Sequence, residues 1–301
     1  MPLLQVRHVT AYRYKRPVSF GEHRILFRPR DSFDQRLVSA VLQVTPEPVD
    51  LRWIHDVFGN CVAIARFDAK AEELRFESRI VVDHTPHHAP HFRIEHAAET
   101  YPFAYDPQDL PDLDPCILRR HPDPQGEVAS WARRFVGPEG KAQTSTMLMD
   151  MTYDIRERFK YVRRLSHGTQ EPLTTLGLRS GTCRDFALLM MEAVRSLGLA
   201  ARFVSGYIYV PSRDGSTTLG GGATHAWCQV YIPGAGWVEF DPTNAIVGNR
   251  DLIRVAVARE PRQAIPLAGT YAGGKGDYLG MTVQVNVTSA AAAVEEERVV
   301  A

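Results

Sequence analysis

The stretch Ser180-Gly181-Thr182-Cys183-Arg184-Asp185-Phe186-Ala187 constrains this chain more than any other, because it sets a cysteine where a loop turns into a helix. Gly181 supplies backbone freedom ahead of the turn, and Thr182 with Asp185 three residues on makes the capping-box pattern of a helix start. Phe186, Leu189, Met190, Ala193, Val194 and Leu197 then recur at the spacing of one buried face. Gly198 stands where a C-terminal cap belongs. Cys183 is expected as the first helical residue, where free backbone N–H groups and the positive end of the macrodipole favour the thiolate, the nucleophilic form. A buried structural cysteine explains the octapeptide alone equally well, so the partners of the sulfur decide.

Beyond Gly198 the apolar pattern changes to period two. Arg202 to Val210 reads as a strand, Pro211 to Ala223 as a loop, and His225 to Ile232 as a second strand; Pro233-Gly234-Ala235 joins it to a third, Trp237 to Asp241, closed by Pro242. Alternation puts His225, Trp227, Gln229 and Tyr231 on one face and Ala226, Cys228, Val230 and Ile232 on the other. With a three-residue loop Ile232 pairs with Gly236, and Trp227 lies opposite Asp241. His225 is then diagonal to Asp241 on the same face, roughly 7–8 Å between backbones, which side chains bridge. A carboxylate on one imidazole nitrogen fixes the tautomer and leaves the other nitrogen free to take a proton from a thiol. A lone strand histidine or an aspartate before proline is ordinarily structural. A nucleophile at a helix start followed by a base and its orienter on one sheet face is much harder to obtain without function.

Upstream, residues 3 to 83 show short strands between turn residues: Leu4 to Tyr14, Val18 to Phe27, Arg36 to Val44, Leu51 to Ile54, Cys61 to Phe67 and Leu74 to Val82. With no helical pattern among them, a β-sandwich is expected, structural or substrate-orienting in role. From 84 to 123 proline, histidine and aspartate dominate and periodicity is lost, which reads as a connector. Its His84, His87, His88 and His91 suit a metal as imidazoles. Their spacing matches no standard zinc pattern, and a solvated histidine-rich linker accounts for them equally well, so no metal site and no cofactor are expected. Helices resume at Asp123-Pro124 and again over Ser145 to Phe159. Apolar runs at Leu252 to Val257 and Met281 to Val287 are expected to extend the sheet of the His225 hairpin, and the chain from Ser289 to fray. The organisation read from the sequence is therefore a β-rich domain over 1–83, a connector over 84–123, an α+β catalytic domain over 124–288 and a tail over 289–301.

Composition excludes several partners. With 301 residues and 44% hydrophobic content the chain holds about two cores. Lysine plus arginine and aspartate plus glutamate are 35 each, so no net basic charge recommends nucleic acid or an anionic membrane. Cys61, Cys116, Cys183 and Cys228 show no C-x-x-C spacing and are too few for a disulfide scaffold. Neither a signal core after Met1 nor a bilayer-length apolar run occurs, and a soluble cytoplasmic protein is the expectation.

Gly181 to Ala187, Gly198 to Tyr207, His225-Ala226-Trp227 and Gly236 to Asn244 together resemble the transglutaminase-like core shared with many bacterial cysteine proteases. The likeness runs from about residue 145 to 250. Tyr12-Arg13-Tyr14 and Arg28-Pro29-Arg30-Asp31 resemble, more weakly, the β-rich domain preceding that core in a bacterial branch. The resemblance implies a papain-like topology, a helix on an antiparallel sheet, with nucleophile Cys183, base His225 and orienting acid Asp241. It implies no calcium dependence, since no acidic calcium loop is present. Cys183 N–H, with Tyr161 or Gln170, is a candidate oxyanion donor. The activity implied is acyl transfer on a protein or peptide amide through a thioester, as protease, amidase or transglutaminase. The rival readings are a catalytically inactive binding or scaffold protein that keeps the fold, and a metal-binding protein built on the histidine cluster.

Overall fold

The computed structural model describes residues 3–85, 92–162, 168–210 and 222–289. Its N-terminal part is one antiparallel sheet organised by a single long strand, β1 (Leu3–Ile25), with β2 (Gln35–Thr45), β3 (Asp50–His55), β4 (Cys61–Arg66) and β5 (Lys70–His84) in the order β2-β5-β1-β4-β3. The expected strands Leu4 to Tyr14 and Val18 to Phe27 are thus one. Pro17 gives no ladder N–H, and the pairing of β1 with β5 jumps from Arg13 opposite Glu73 to Val18 opposite Ala71. Such a bulge bends a strand. The sheet curls there about its own core of Tyr14, Phe20, Ile25, Phe27, Leu74 and Phe76, so one curled sheet supplies the layers of the expected sandwich.

The connector is more ordered than its composition suggests. After β6 (Thr100–Tyr101) comes α1 (Leu110–Ile117), and its Leu113 is buried with Tyr105 in the main core. Then follow α2 (Glu127–Arg133), β7 (Ala142–Gln143), α3 (Thr144–Arg158), β8 (Lys160–Tyr161), α4 (Pro172–Leu178), β9 (Ser180–Gly181) and α5 (Cys183–Ser196). Helix α5 begins and ends where the sequence places it, with Gly198 left-handed at φ 79. It is buried nearly all round, because α2, α3 and α4 cover the side turned away from the sheet. A buried ion network secures its last turns: the Arg195 guanidinium holds Glu192 at 2.9 Å and Glu260 at 2.8 Å.

The sheet beneath α5 contains β10 (Ala201–Ile208), β11 (His225–Ile232), β12 (Gly236–Asp241), β13 (Ile246–Val247) and β14 (Leu252–Ala258) in the order β13-β12-β11-β10-β14. Ile232 pairs with Gly236 as expected. Ala226, Cys228, Val230 and Ile232 turn to α5 in the main core, while Trp227 packs on the opposite face with Val204, Ile208, Leu252 and Val257.

The C-terminal strands correct the sequence reading. The run Met281 to Val287 lies in β16 (Tyr278–Ser289), which pairs with β1 from Leu4 opposite Ser289 to Tyr14 opposite Tyr278. It therefore completes the N-terminal sheet, as does β15 (Leu267–Ala272) along the second half of β1. Ser289 closes a strand instead of fraying, and the rest of the expected tail lies outside the described residues. Period two announces a strand without saying which sheet takes it.

The two parts are interlocked. Leu4, Val6, Ile80 and Val82 pack on Tyr207, Ile253 and Val255. His8 Nδ1 meets the Tyr207 hydroxyl at 2.9 Å. Strand β14 would present an open edge, yet side-chain amides from the N-terminal part occupy it. Gln35 pairs with the backbone N–H and C=O of Arg254, both at 2.8 Å, and Asn60 with those of Val257 at 2.9 and 2.7 Å. The Arg254 guanidinium reaches Asp34 at 3.0 Å. No described helix is long and apolar enough to cross a membrane.

Candidate active site

Cys183 is the first residue of α5, held there by the loop before it. Thr182 donates its backbone N–H to Asp185 Oδ2 at 2.7 Å and its hydroxyl to the same oxygen at 2.8 Å, while Asp185 Oδ1 accepts the Gln170 N–H at 2.6 Å. One buried carboxylate thus fixes both the start of the cysteine helix and the loop leading into α4. Gly181 has a reason other than backbone freedom, since its φ is not positive. A Cβ there would stand 2.8 Å from Asp185 Cβ and 3.3 Å from a Phe186 ring carbon. Gly181→Ala is expected to push the carboxylate off these donors and destabilise by about 1–3 kcal/mol, the usual cost of overpacking. Urea unfolding measures this; an unchanged midpoint would show that the loop yields at no cost.

His225 opens β11 and Asp241 closes β12, so the antiparallel register brings both to the same end of the hairpin. His225 Nε2 donates to Asp241 Oδ2 at 2.7 Å. Asp241 is held by two more donors: Oδ1 accepts the Thr243 N–H at 2.9 Å and Oδ2 also accepts Asn244 Nδ2 at 2.8 Å. Trp227 stacks beside the imidazole at 6.0 Å between centroids. His225 and Asp241 are 1% and 0% exposed, Cys183 6%. Burial acts against an imidazolium here, but the Asp241 charge and hydrogen bond outweigh it, with Cys183 adding to the pull, and the histidine is raised well above its usual value. Cys183 therefore lies close enough to act on the ring. The contact falls short of hydrogen-bond geometry, and His225 Nδ1 is buried with no partner among the described residues. That nitrogen is the one left to exchange a proton.

The other expected residues separate clearly. Cys228 donates to the Phe240 carbonyl at 3.5 Å in the core, and burial pushes its thiol up, as its face predicts. Cys116 is half-buried on α1, contrary to an exposed connector position, and burial raises its thiol too, against the pull of nearby arginines. Gln170 is removed as an oxyanion donor: its amide nitrogen already donates to Thr175 Oγ1 and to the Ser180 carbonyl, each at 3.0 Å. Tyr161 stays adjacent, paired with Gly181 across β8 and β9. His84 is buried, its Nε2 donating to the Asn249 carbonyl at 2.9 Å, while His87, His88 and His91 lie outside the described residues. Among the described residues no group of three or more metal-ligating side chains is gathered. The sequence reading assigned no part to Asn244. The signal was present, since a short amide three residues after an aspartate in Asp241-Pro242-Thr243-Asn244 is placed to fold back on that carboxylate.

Comparison with known proteins agrees with this architecture. Residues 4–83 match the bacterial transglutaminase-like N-terminal region, and residues 129–242, which hold Cys183, His225 and Asp241, match the transglutaminase-like superfamily. The chain is 29% identical over 292 residues to an uncharacterized protein of Mycobacterium tuberculosis, covering 93% of this chain and 91% of that one. An uncharacterized protein of Mycobacterium leprae is 27% identical over 303 residues, with 94% and 98% covered. Among solved structures, the "putative cysteine protease" from Cytophaga hutchinsonii shares the fold with a TM-score of 0.70 at 19% identity, over 96% of this chain and 91% of that one. Residues 129–242 of the chain are a transglutaminase-like superfamily core, preceded over residues 4–83 by a bacterial transglutaminase-like N-terminal region.

Proposed function

We propose that this protein catalyses cysteine-dependent acyl transfer on an amide of a protein or peptide, either a peptide bond or a glutamine carboxamide. Cys183 is the nucleophile, His225 the proton carrier and Asp241 its orienter. The observation that carries the reading is the imidazole held by Asp241 through Nε2, with Nδ1 unpartnered among the described residues and Cys183 beside it. The thiolate attacks the carbonyl carbon to form the C–S bond. The oxyanion that develops faces the start of α5, where the Cys183 N–H is one of the donors a helix leaves unused. The His225 imidazolium gives its proton to the departing nitrogen, the C–N bond breaks, and a thioester remains. Neutral His225 then takes a proton from water or an amine, which attacks the thioester and restores the thiolate. Water makes the protein a protease or amidase and an amine makes it a transglutaminase.

Brief alkylation with iodoacetamide at pH 6, followed by peptide mapping, tests the assignment. An ordinary thiol near pKa 8.5 is only about 0.3% thiolate at that pH. Accessibility alone favours Cys61 and Cys116, both more exposed than Cys183. Cys183 is nevertheless expected to label at least about tenfold faster than either, since the thiolate is the reacting form, and His225→Ala is expected to slow Cys183 without changing Cys116. Faster labelling at Cys61, Cys116 or Cys228 would remove Cys183 as nucleophile and leave a non-catalytic binding protein as the better reading.

A further inference from the structure

The far end of the core sheet carries a cavity of about 530 Å³ between the turn at Val57 and Phe58, helix α1 and the β11–β12 hairpin. Tyr231 and Trp237 line it, six residues along β11 from His225 in the first case, a separation of about 20 Å at strand rise. It shares no residue with the Cys183 site. Its volume falls in the range of small-molecule sites, and its walls combine apolar and aromatic side chains with charged ones.

Two guanidinium groups line this cavity, those of Arg202 and Arg259. Both residues are half-buried, and neither makes an ion pair among the described residues. Arg202 donates through Nε to the neutral amide of Gln229 at 2.7 Å, and its guanidinium lies 4.0 Å from the Trp237 ring centroid. Arg259 Nε is buried without any partner among those residues. Arg195 and Arg254, by contrast, meet four carboxylates between them, and Arg184 donates to the Pro261 and Ala264 carbonyls. Glu239 draws on Arg202 from beyond salt-bridge distance, and neither half-buried guanidinium has an acid in contact among the described residues, so a bound anion would supply a partner that both lack. The acids of the cavity, Asp109 and Asp112, are both exposed and stand at its rim, and Asp109 accepts the Tyr231 hydroxyl at 3.3 Å.

We infer that this cavity is a binding site for a small organic anion, a carboxylate or phosphate ester with a flat apolar body, its charged group on Arg202 and Arg259 and its body between Phe58, Tyr231 and Trp237. Guanidinium forks suit both kinds of oxyanion, and the aromatic walls suit the body. Because the turn at Phe58 belongs to the N-terminal sheet, the ligand would bridge the two parts of the chain.

Thermal unfolding of the full chain with phenyl phosphate or benzoate at several millimolar, against phenol as the neutral match, tests the site. At least one of the anions is expected to raise the midpoint by about 2–4 °C, with phenol inert. Arg259→Gln is expected to abolish that shift while leaving the ligand-free midpoint equal or higher, because an uncompensated charge has been removed. Cys116, which lines the same cavity, is expected to alkylate more slowly with the anion bound, while labelling of Cys183 is unchanged. The inference is overturned if neither anion stabilises more than phenol, or if the shift survives Arg259→Gln. A fall in ligand-free stability in Arg259→Gln would overturn it as well, by making the guanidinium structural. Protection of Cys183 in place of Cys116 would put the anion in the other site.

Discussion

Asp241→Asn is expected to leave a folded protein that has lost most of its turnover, and Cys183→Ala to lose all turnover that proceeds through a thioester. The asparagine amide would turn a donor towards His225 Nε2 and Asn244 Nδ2, which are both donors to Asp241 Oδ2 in the native site. The imidazole then favours the tautomer protonated on Nδ1, the wrong one for accepting a proton there. In the serine-protease triad the equivalent change costs about 10⁴ in rate. A site whose thiolate and imidazolium are already paired at rest loses less, so a fall of about 10²–10⁴ in kcat/KM is expected for Asp241→Asn. The stability cost is that of one frustrated buried amide, about 1–3 kcal/mol. Release of ammonia or amine from a glutamine peptide or casein, with acid-trapped acyl-enzyme read by mass spectrometry, provides the assay. Turnover within about threefold of the native protein would remove Asp241 from the mechanism, and a covalent acyl adduct on Cys183→Ala would remove the cysteine.

A truncated chain beginning at Asp123 is expected not to fold, although Cys183, His225 and Asp241 all lie beyond it. From the sequence the β-rich part looks dispensable for chemistry, because every candidate catalytic residue follows position 180. The structure reverses that expectation. Truncation would expose Tyr207, Ile253 and Val255, worth roughly 5–9 kcal/mol together at about 1.5–3 kcal/mol per buried side chain, against a whole stability of about 5–15 kcal/mol. It would also strip Gln35 and Asn60 from the edge of β14 and Asp34 from Arg254, and deprive β15 and β16 of β1. Tyr105, whose hydroxyl bridges the Ala200 N–H and the Tyr231 carbonyl at 2.9 and 3.0 Å, would go as well. Circular dichroism during heating decides the matter: a cooperative transition in the truncated chain, with alkylation of Cys183 as in the full protein, would show that the core stands alone.

Sequence by itself determined the elements whose residues are near neighbours along the chain. Helix α5, its first residue at Cys183, its cap at Asp185 and its end at Gly198 follow from a 3.6-residue period and the orphan N–H groups of a helix start. The His225–Asp241 pair follows from a three-residue turn, a period of two and the diagonal that antiparallel register imposes, and Cys228 is placed in the core by the same alternation. Tertiary structure alone decided which surfaces meet. Periodicity says that Met281 to Val287 has a strand's two faces, but β16 could satisfy its backbone on any open edge, and only the course of β1 selects it. Gln35 and Asn60 cap the edge of β14 at Arg254 and Val257, and Arg202 and Arg259 share a cavity although 57 positions separate them. Local hydrogen bonding and side-chain alternation are properties of a short run of residues. Mutual burial and charge compensation are properties of pairs brought together only when the chain has closed, and no short run contains them.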